Sequence, residues 1–279
     1  MSSSIKDDIQ DQAIRISLPK GGEGDTISID AIASIAKMHG QPGYVIEAEA
    51  LKDSVFPTRY LRNMDGITSD EQIRLLESSV AQVGLGGLGG NLLEMFIRTG
   101  IGRIRAADGD NFEESNLNRQ ALSSPDNIDR PKSDAGLVRT NQINPSIAIE
   151  TWNEYLNPQS LPDFLANCDI AIDALGGLKT RLALQQAATE AHIPLVTGAL
   201  AGWTGYVGVV MPGQLGPADI MGHDNAAEET LGCPSPAVTF IASLMATETL
   251  KILTKSPASL TNKMLLVDLK HLTFETISI

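Results

Sequence analysis

From Val80 onward, short apolar runs of β type alternate with longer stretches whose apolar residues recur at helical spacing. The pattern predicts strands at Val80–Val83, Gly102–Ala107, Ile147–Trp152, Asp169–Ala174, Leu195–Gly198, Tyr206–Val210 and Met264–Leu269. Between them it predicts helices at Gly90–Thr99, Lys132–Asn141, Leu178–Ala191 and Ala237–Leu253. Strands that alternate with helices in this way form an α/β fold, a doubly wound and mostly parallel sheet with helices on both faces. Ahead of it, Ser69–Ser78 reads as a helix. Ser69 and Gln72 suit a capping box, and Ile73, Leu75 and Leu76 form the apolar face. The Gly- and Pro-rich segment Pro212–Pro236 reads as a long surface loop.

The first 58 residues follow a different pattern and are expected to form a small helical appendage, with residues 59–279 as the main domain. Residues 1–25 are polar, include Gly21, Gly22 and Gly24, and predict a loosely attached start. Asp30–His39 carries apolar residues at helical spacing and stops at Gly40; Tyr44–Leu51 suits a second short helix. Two helices in succession also fit a DNA-binding helix-turn-helix, but a packing appendage suits an acidic chain better.

Composition narrows the function classes. The net charge is −13, which repels phosphate backbones and makes general nucleic-acid binding unattractive. The start, MSSSIKDDIQDQ, lacks the basic and apolar regions of a signal peptide. No apolar run reaches the roughly 18 residues of a membrane span. A soluble, cytoplasmic protein is the expectation. Cys168 and Cys233, the two cysteines, belong to no CxxC pair and are expected to be free thiols.

The candidate chemistry begins at Gly84-Leu85-Gly86-Gly87-Leu88-Gly89, between a strand and a helix. The Gly84-x-Gly86-x-x-Gly89 spacing allows a tight turn, a close approach of phosphate to backbone, and close packing of helix on strand. The following helix start offers free N–H groups to an anion. Asp108 comes about twenty residues later, at the end of the next strand, where a carboxylate can receive ribose hydroxyls. This is a Rossmann-like mononucleotide unit, and it leaves NAD and ATP both open. Further along, Arg119 can give planar donors to phosphate oxygens, Lys132 can deliver a point charge at a helix start, and Asn116 can bond phosphate or sugar without charge. Such cations suit a triphosphate better than a nicotinamide.

Taken together, the Arg59-Tyr60-Leu61-Arg62-Asn63 run, the glycine loop, the acids Asp108 and Asp110, the run Ser115-Asn116-Leu117-Asn118-Arg119-Gln120, Arg130-Pro131-Lys132 and the late helix Ala242–Lys251 resemble the ThiF/MoeB/HesA family. These are bacterial relatives of ubiquitin-activating enzymes. The resemblance implies ATP and magnesium as cofactors. It implies an adenylyltransferase that joins the C-terminal glycine carboxylate of a ubiquitin-like sulfur-carrier protein, ending in Gly-Gly, to the α-phosphate. It also implies a homodimer. Carried over, Gly87 lines the phosphates and Asp108 holds the ribose, with Gly84, Gly86, Asp110 and Gly176 also among the nucleotide-binding residues. Ser115, Asn116, Leu117, Asn118 and Arg119 wrap the nucleotide, Arg119 and Lys132 neutralise charge developing on the phosphates, and Arg62 reaches the phosphates from the partner subunit.

The chain departs from the family pattern in two places. The paired CxxC zinc motifs are absent, and no metal-ligating residues are expected. Gly176, within Asp173-Ala174-Leu175-Gly176-Gly177, stands where the family's second acid would help position magnesium and nucleotide. A relative that binds nucleotide but has lost catalysis, acting as a partner protein, is therefore a second reading; a nicotinamide-dependent oxidoreductase is a third. Cys233, next to the long loop, reads as a small buried residue before a proline turn rather than as an acyl or sulfur acceptor. Cys168 reads as core.

Overall fold

The computed structural model describes residues 4–19, 21–177, 180–220, 230–257 and 260–279. The start of the chain is more ordered than its polar composition suggests. Ser4 and Asp7 form a reciprocal capping box on α1 (Ile5–Gln12). Strands β1 (Ile14–Ser17) and β2 (Glu23–Ile27) pair antiparallel, with Gly21 and Gly22 at φ 93° and 78° in the turn. The glycines that suggested looseness are hairpin residues, for which positive φ is no burden. Next come α2 (Ile29–His39), ended by Gly40 at φ 62°, α3 (Gly43–Lys52) and β3 (Val55–Pro57), which adds parallel to β2. Ile9, Ile27, Ile32, Ile35, Ile46 and Val55 close into a small core of their own.

Helix α4 (Ser69–Glu77) forms where expected, but its capping box is Thr68 with Glu71, one residue earlier than the sequence pattern suggested. Thr68 Oγ1 accepts the Glu71 N–H, and the Glu71 carboxylate accepts the Thr68 N–H. The main sheet then follows the alternation. Strands β4 (Ser79–Val83), β5 (Arg103–Ala107), β6 (Ala148–Trp152), β7 (Ile170–Asp173) and β8 (Leu195–Ala201) are joined by parallel pairings. Strands β9 (Thr204–Val210), β10 (Lys263–Asp268) and β11 (Thr273–Ser278) extend it by antiparallel pairings, in the order β11-β10-β9-β8-β7-β4-β5-β6. The last strand was not anticipated: its Thr273, Phe274, Glu275 and Thr276 are exposed at the sheet edge, so no apolar run marks it.

Helices α5 (Gly87–Thr99), α6 (Lys132–Ile143), α7 (Leu161–Leu165), α8 (Arg181–Glu190), α9 (Pro217–Ile220) and α10 (Ser235–Leu253) complete the fold. The expected start of α8, Leu178, lies outside the described residues, and α9 is a short helix within what was read as loop. Residues on β4 sort by alternation. Val80 joins the core under α5 and α10, with Phe96, Ile241 and Met245. Ala81 and Val83 join the core under α7 and α8, with Phe164 and Leu184. Burial at about 1.5–3 kcal/mol for each large apolar side chain makes this two-sided core the main source of stability.

Helix α10 corrects one expectation. By length and composition it is apolar enough to cross a membrane. Its apolarity has another cause: Ala237, Val238, Ile241, Ala242, Met245 and Ala246 are buried against α5 and the sheet.

A buried polar network joins the first 58 residues to the rest. Glu47 on α3 accepts the Ser146 hydroxyl at 2.8 Å and the Tyr60 hydroxyl at 3.0 Å, and lies 3.3 Å from Arg59 Nε. Asn144 donates to Tyr60 and to the Ile97 carbonyl, both at 3.0 Å, and accepts from Arg59. A Cβ on Gly43 would stand 2.7 Å from Ser146 Cα, so α3 reaches this seam only by starting with glycine. Burial pushes the Glu47 carboxyl up from 4.5, against the pull of Arg59, Ser146 and Tyr60. A raised folded pKa means that the unfolded chain ionises first, so the contribution is full below about 4.5 and is lost as pH rises through the folded value. Relative to Glu47→Gln, the unaltered chain is therefore expected to lose stability as pH rises above about 4.5 in denaturant titrations. A gain in the stability of the unaltered chain relative to the variant as pH rises would show that the Arg59 pairing outweighs burial.

Candidate functional site

A cleft of about 720 Å³ opens where β4, β5, β7 and β8 end, and the glycine loop forms its floor. Gly84 takes φ 102°, and a Cβ there would stand 2.4 Å from the Ala174 carbonyl oxygen. The loop therefore lies directly against the end of β7. A Cβ on Gly89 would stand 1.9 Å from the Gly84 oxygen, so α5 can pack this close only with glycine there. Helix α5 starts at Gly87 with no side-chain cap, which leaves its first N–H groups for a ligand.

Asp108 ties the loop to the neighbouring strand end. Its carboxylate accepts the Leu85 N–H at 2.7 Å and the Asp110 N–H at 2.9 Å. Burial raises its pKa, with Lys132 pulling the other way. Asp110 in turn accepts from Lys132 Nζ at 2.9 Å and from the Tyr155 hydroxyl. Burial pushes the Asp110 carboxyl up, but the Tyr155 hydroxyl and the Lys132 ammonium more than offset it and hold the pKa below its ordinary value. Lys132 is buried although it stands in the first turn of α6. The segment before it folds back to put it there. Phe112 is fully buried, its N–H donates to the Arg130 carbonyl, and the Lys132 N–H donates to the Asp110 carbonyl.

The Ser115–Gln120 run divides. Asn116 and Arg119 line the cleft; Ser115, Leu117 and Asn118 are exposed and are not among the lining residues. Asn116 Oδ1 accepts the Glu113 N–H, closing the turn. Arg119 donates to the Ser115 carbonyl and to Asn118 Oδ1, and its Cγ lies 3.9 Å from where a Cβ on Gly87 would stand. Gly176 also lines the cleft, and a Cβ there would meet nothing within 4 Å. Arg62 is exposed on the turn Thr58–Asn63 and is not among the residues lining this chain's own cleft. Cys233 is half-buried at the cleft wall. Cys168 is buried ahead of β7, which pushes its thiol pKa up.

Sequence reasoning missed Arg181. Its side chain is buried and bonds Asp173 at 2.9 Å, the Gly198 carbonyl at 3.1 Å, the Tyr206 hydroxyl at 3.2 Å and the Gly177 carbonyl at 3.1 Å, and it also donates to the Leu175 carbonyl. Asp173 takes a second bond from Thr197 at 2.7 Å. The pair fixes the Leu175–Gly177 turn that carries Gly176. An arginine opening an otherwise mostly apolar helix soon after a strand-end aspartate was the available signal. Tyr155 was missed as well, because a lone exposed tyrosine in a polar loop carries no pattern. Among the described residues there is no group of three or more His, Cys, Asp or Glu side chains placed to hold a metal.

The chain is 34% identical over 202 residues to a sulfur carrier protein ThiS adenylyltransferase of Escherichia coli, covering 70% of this chain and 80% of that protein. It is 30% identical over 236 residues to a sulfur carrier protein adenylyltransferase of Thermus thermophilus, covering 79% and 86%. In fold it is similar to E. coli MccB solved with ATP, with a TM-score of 0.70 and 20% identity, covering 79% of this chain and 71% of that one. It is also similar to PaaA, with a TM-score of 0.67 and 18% identity, covering 96% and 99%. The ThiF family model matches residues 60–279, and the chain belongs to the ThiF family.

Proposed function

We propose that this protein uses ATP to adenylate the C-terminal carboxylate of a ubiquitin-like sulfur carrier ending in Gly-Gly, as a cytoplasmic homodimer. The observation that carries the reading is the uncapped start of α5 facing a cleft that also holds Asp108 and the buried Lys132. Support comes from the adenylyltransferases among its relatives. In the reaction a carboxylate oxygen attacks the α-phosphorus, the bond to pyrophosphate breaks, and pyrophosphate leaves with the electron pair. No general base is needed, because the carboxylate is ionised at neutral pH. Positioning and electrostatics supply the rest. The backbone at Gly86 and Gly87 receives phosphate, and Asp108 holds the ribose. Lys132 exchanges Asp110 for phosphate oxygens, and Arg119 leaves its carbonyl partner to do the same. Arg62 enters from the partner subunit.

Magnesium finds no protein carboxylate at Gly176 and is expected to arrive with the triphosphate, keeping most of its water. That glycine also supports a second reading, a nucleotide-binding partner without turnover.

Calorimetric titration is expected to show ATP binding and no NAD binding, and Lys132→Ala to lower pyrophosphate exchange on the order of a hundredfold with a Gly-Gly carrier. NAD binding in preference to ATP would overturn the reading. Arg62→Ala is expected to leave the melting temperature unchanged and to lose exchange. Mixing it with Lys132→Ala should regain activity, since one site of the mixed dimer has both residues; no recovery would count against the role in trans. Gly176→Asp meets open space and should leave stability within about 0.5 kcal/mol. It should lower the magnesium concentration needed for half-maximal exchange. Exchange seen only in this variant would favour the non-catalytic reading.

A further inference from the structure

Strand β4 is buried along its whole length, yet it holds one carboxamide among small and apolar side chains. Gln82 has no exposed surface. By alternation it faces the same side as Val80, beneath α5. Its Nε2 donates to the Gly84 carbonyl at 3.0 Å and to the Gly89 carbonyl at 2.8 Å. These are the first and last glycines of the loop, so one nitrogen ties its two ends. The Gln82 Oε1 is buried without a hydrogen-bond partner among the described residues. The reverse orientation would set that oxygen against two carbonyl oxygens, so the network fixes the nitrogen toward the loop. A buried acceptor left unpaired in the middle of a sheet calls for an explanation.

Two successive peptide units at the end of β4 differ in what holds them. The Val83–Gly84 unit is held by neighbouring backbone. The Gly84 N–H donates to the Ala107 carbonyl at 2.8 Å, and the Val83 carbonyl accepts the Ala174 N–H at 2.9 Å. The Gly84–Leu85 unit is held by two side chains. Gln82 holds its carbonyl, and the Asp108 carboxylate accepts its N–H at 2.7 Å. Gly84 stands at φ 102°, and glycine leaves more than one orientation of the next peptide open. Turning this unit over would aim the Gly84 oxygen toward the Asp108 carboxylate and remove the N–H that steadies it. We propose that Gln82 is a positioning residue of the nucleotide site, which locks the Gly84–Leu85 peptide and through it orients the Asp108 carboxylate. Without the amide, the Gly84 oxygen is an acceptor that has lost its donor, and the peptide is free to turn toward water. The inference rests on the nucleotide reading above and adds to it a residue that touches no ligand.

The test reads amide hydrogen exchange by NMR and ATP affinity by calorimetry, both on the full chain. Gln82→Met keeps the length and removes the donor. Gln82→Leu is a second apolar replacement, should the first fail to fold. Exchange of the Leu85 N–H is expected to accelerate on the order of tenfold in the variant, while the amides of β4 keep their protection. ATP affinity is expected to fall on the order of tenfold. Burial lifts the Asp108 pKa, and the Leu85 N–H is one of the groups that hold it down. Asp108 is therefore expected to titrate higher still in the variant, followed by carbon-detected NMR. A packing role would speed exchange at Leu85 and along β4 alike, and would overturn the assignment. So would unchanged exchange at Leu85, an unchanged Asp108 titration, or a Leu85 amide already unprotected in the unaltered chain. Faster exchange at Leu85 with ATP affinity unchanged would also overturn it, since the lock would then not bear on the nucleotide. All of these leave the nucleotide reading standing. Failure of the unaltered chain to bind ATP would remove that reading and the role of Gln82 with it.

Discussion

The close approach of backbone to backbone at the glycine loop is the constraint on which the site depends. Gly84 brings the end of β4 against Ala174 at the end of β7, and Gly89 brings α5 against Gly84. A Cβ at either position would stand 2.4 Å or 1.9 Å from a backbone oxygen, so strand, loop and helix would have to move apart. Once they touch, three otherwise separate features share one space: the bare start of α5, the Asp108 carboxylate at the end of β5, and the Leu175–Gly177 turn. The core on both faces of the sheet supplies stability, but these glycines decide what the strand ends can hold.

Around that backbone frame the charges are held in reserve by one another. Lys132 is tied to Asp110, Arg119 to a carbonyl and an asparagine, and Arg181 to Asp173. The three are not equivalent. Asp173–Arg181 is buried on both sides and is bonded to five strand or turn residues, so breaking it would leave an uncompensated charge in the interior. Lys132–Asp110 has one half-exposed member, and Arg119 pairs with no carboxylate among the described residues. Energetically, the cations that can change partners are the ones at the loop, and the one that cannot is beneath the turn. On the proposed reading, this division separates groups that receive a ligand from the group that keeps their scaffold in place.

The sequence made the main sheet legible because burial on both faces leaves runs that only a central strand explains. Val80–Val83 and Asp169–Ala174 are such runs. It failed where apolar pattern is weak: β11 lies at an edge, and β1 and β2 pair in a small sheet rich in charge. The glycine loop, Asp108 and Lys132 were readable from spacing, since backbone geometry fixes where they must stand. Arg181 and Tyr155 were not, because each acts through contacts across the chain. Arg181 meets Tyr206 twenty-five residues away, and Tyr155 meets Asp110 across forty-five. Leu117 is a motif residue whose side chain is exposed and does not line the cleft.

Gly176 brings these strands of reasoning together. The turn that carries it is gripped by Arg181 through the Leu175 and Gly177 carbonyls, so its backbone is fixed whatever side chain it bears. The space beside its Cα is open, so sterics did not select glycine there. The wall of the cleft is already crowded with carboxylates, and another at this position would add repulsion toward a polyanion unless a cation came with it. On the proposed reading, a glycine at this point lowers the negative charge facing the phosphates, and leaves charge compensation to Lys132, Arg119 and whatever cation the nucleotide carries. The glycine here therefore bears on the electrostatics of the cleft wall and not on the grip of Arg181 on the turn.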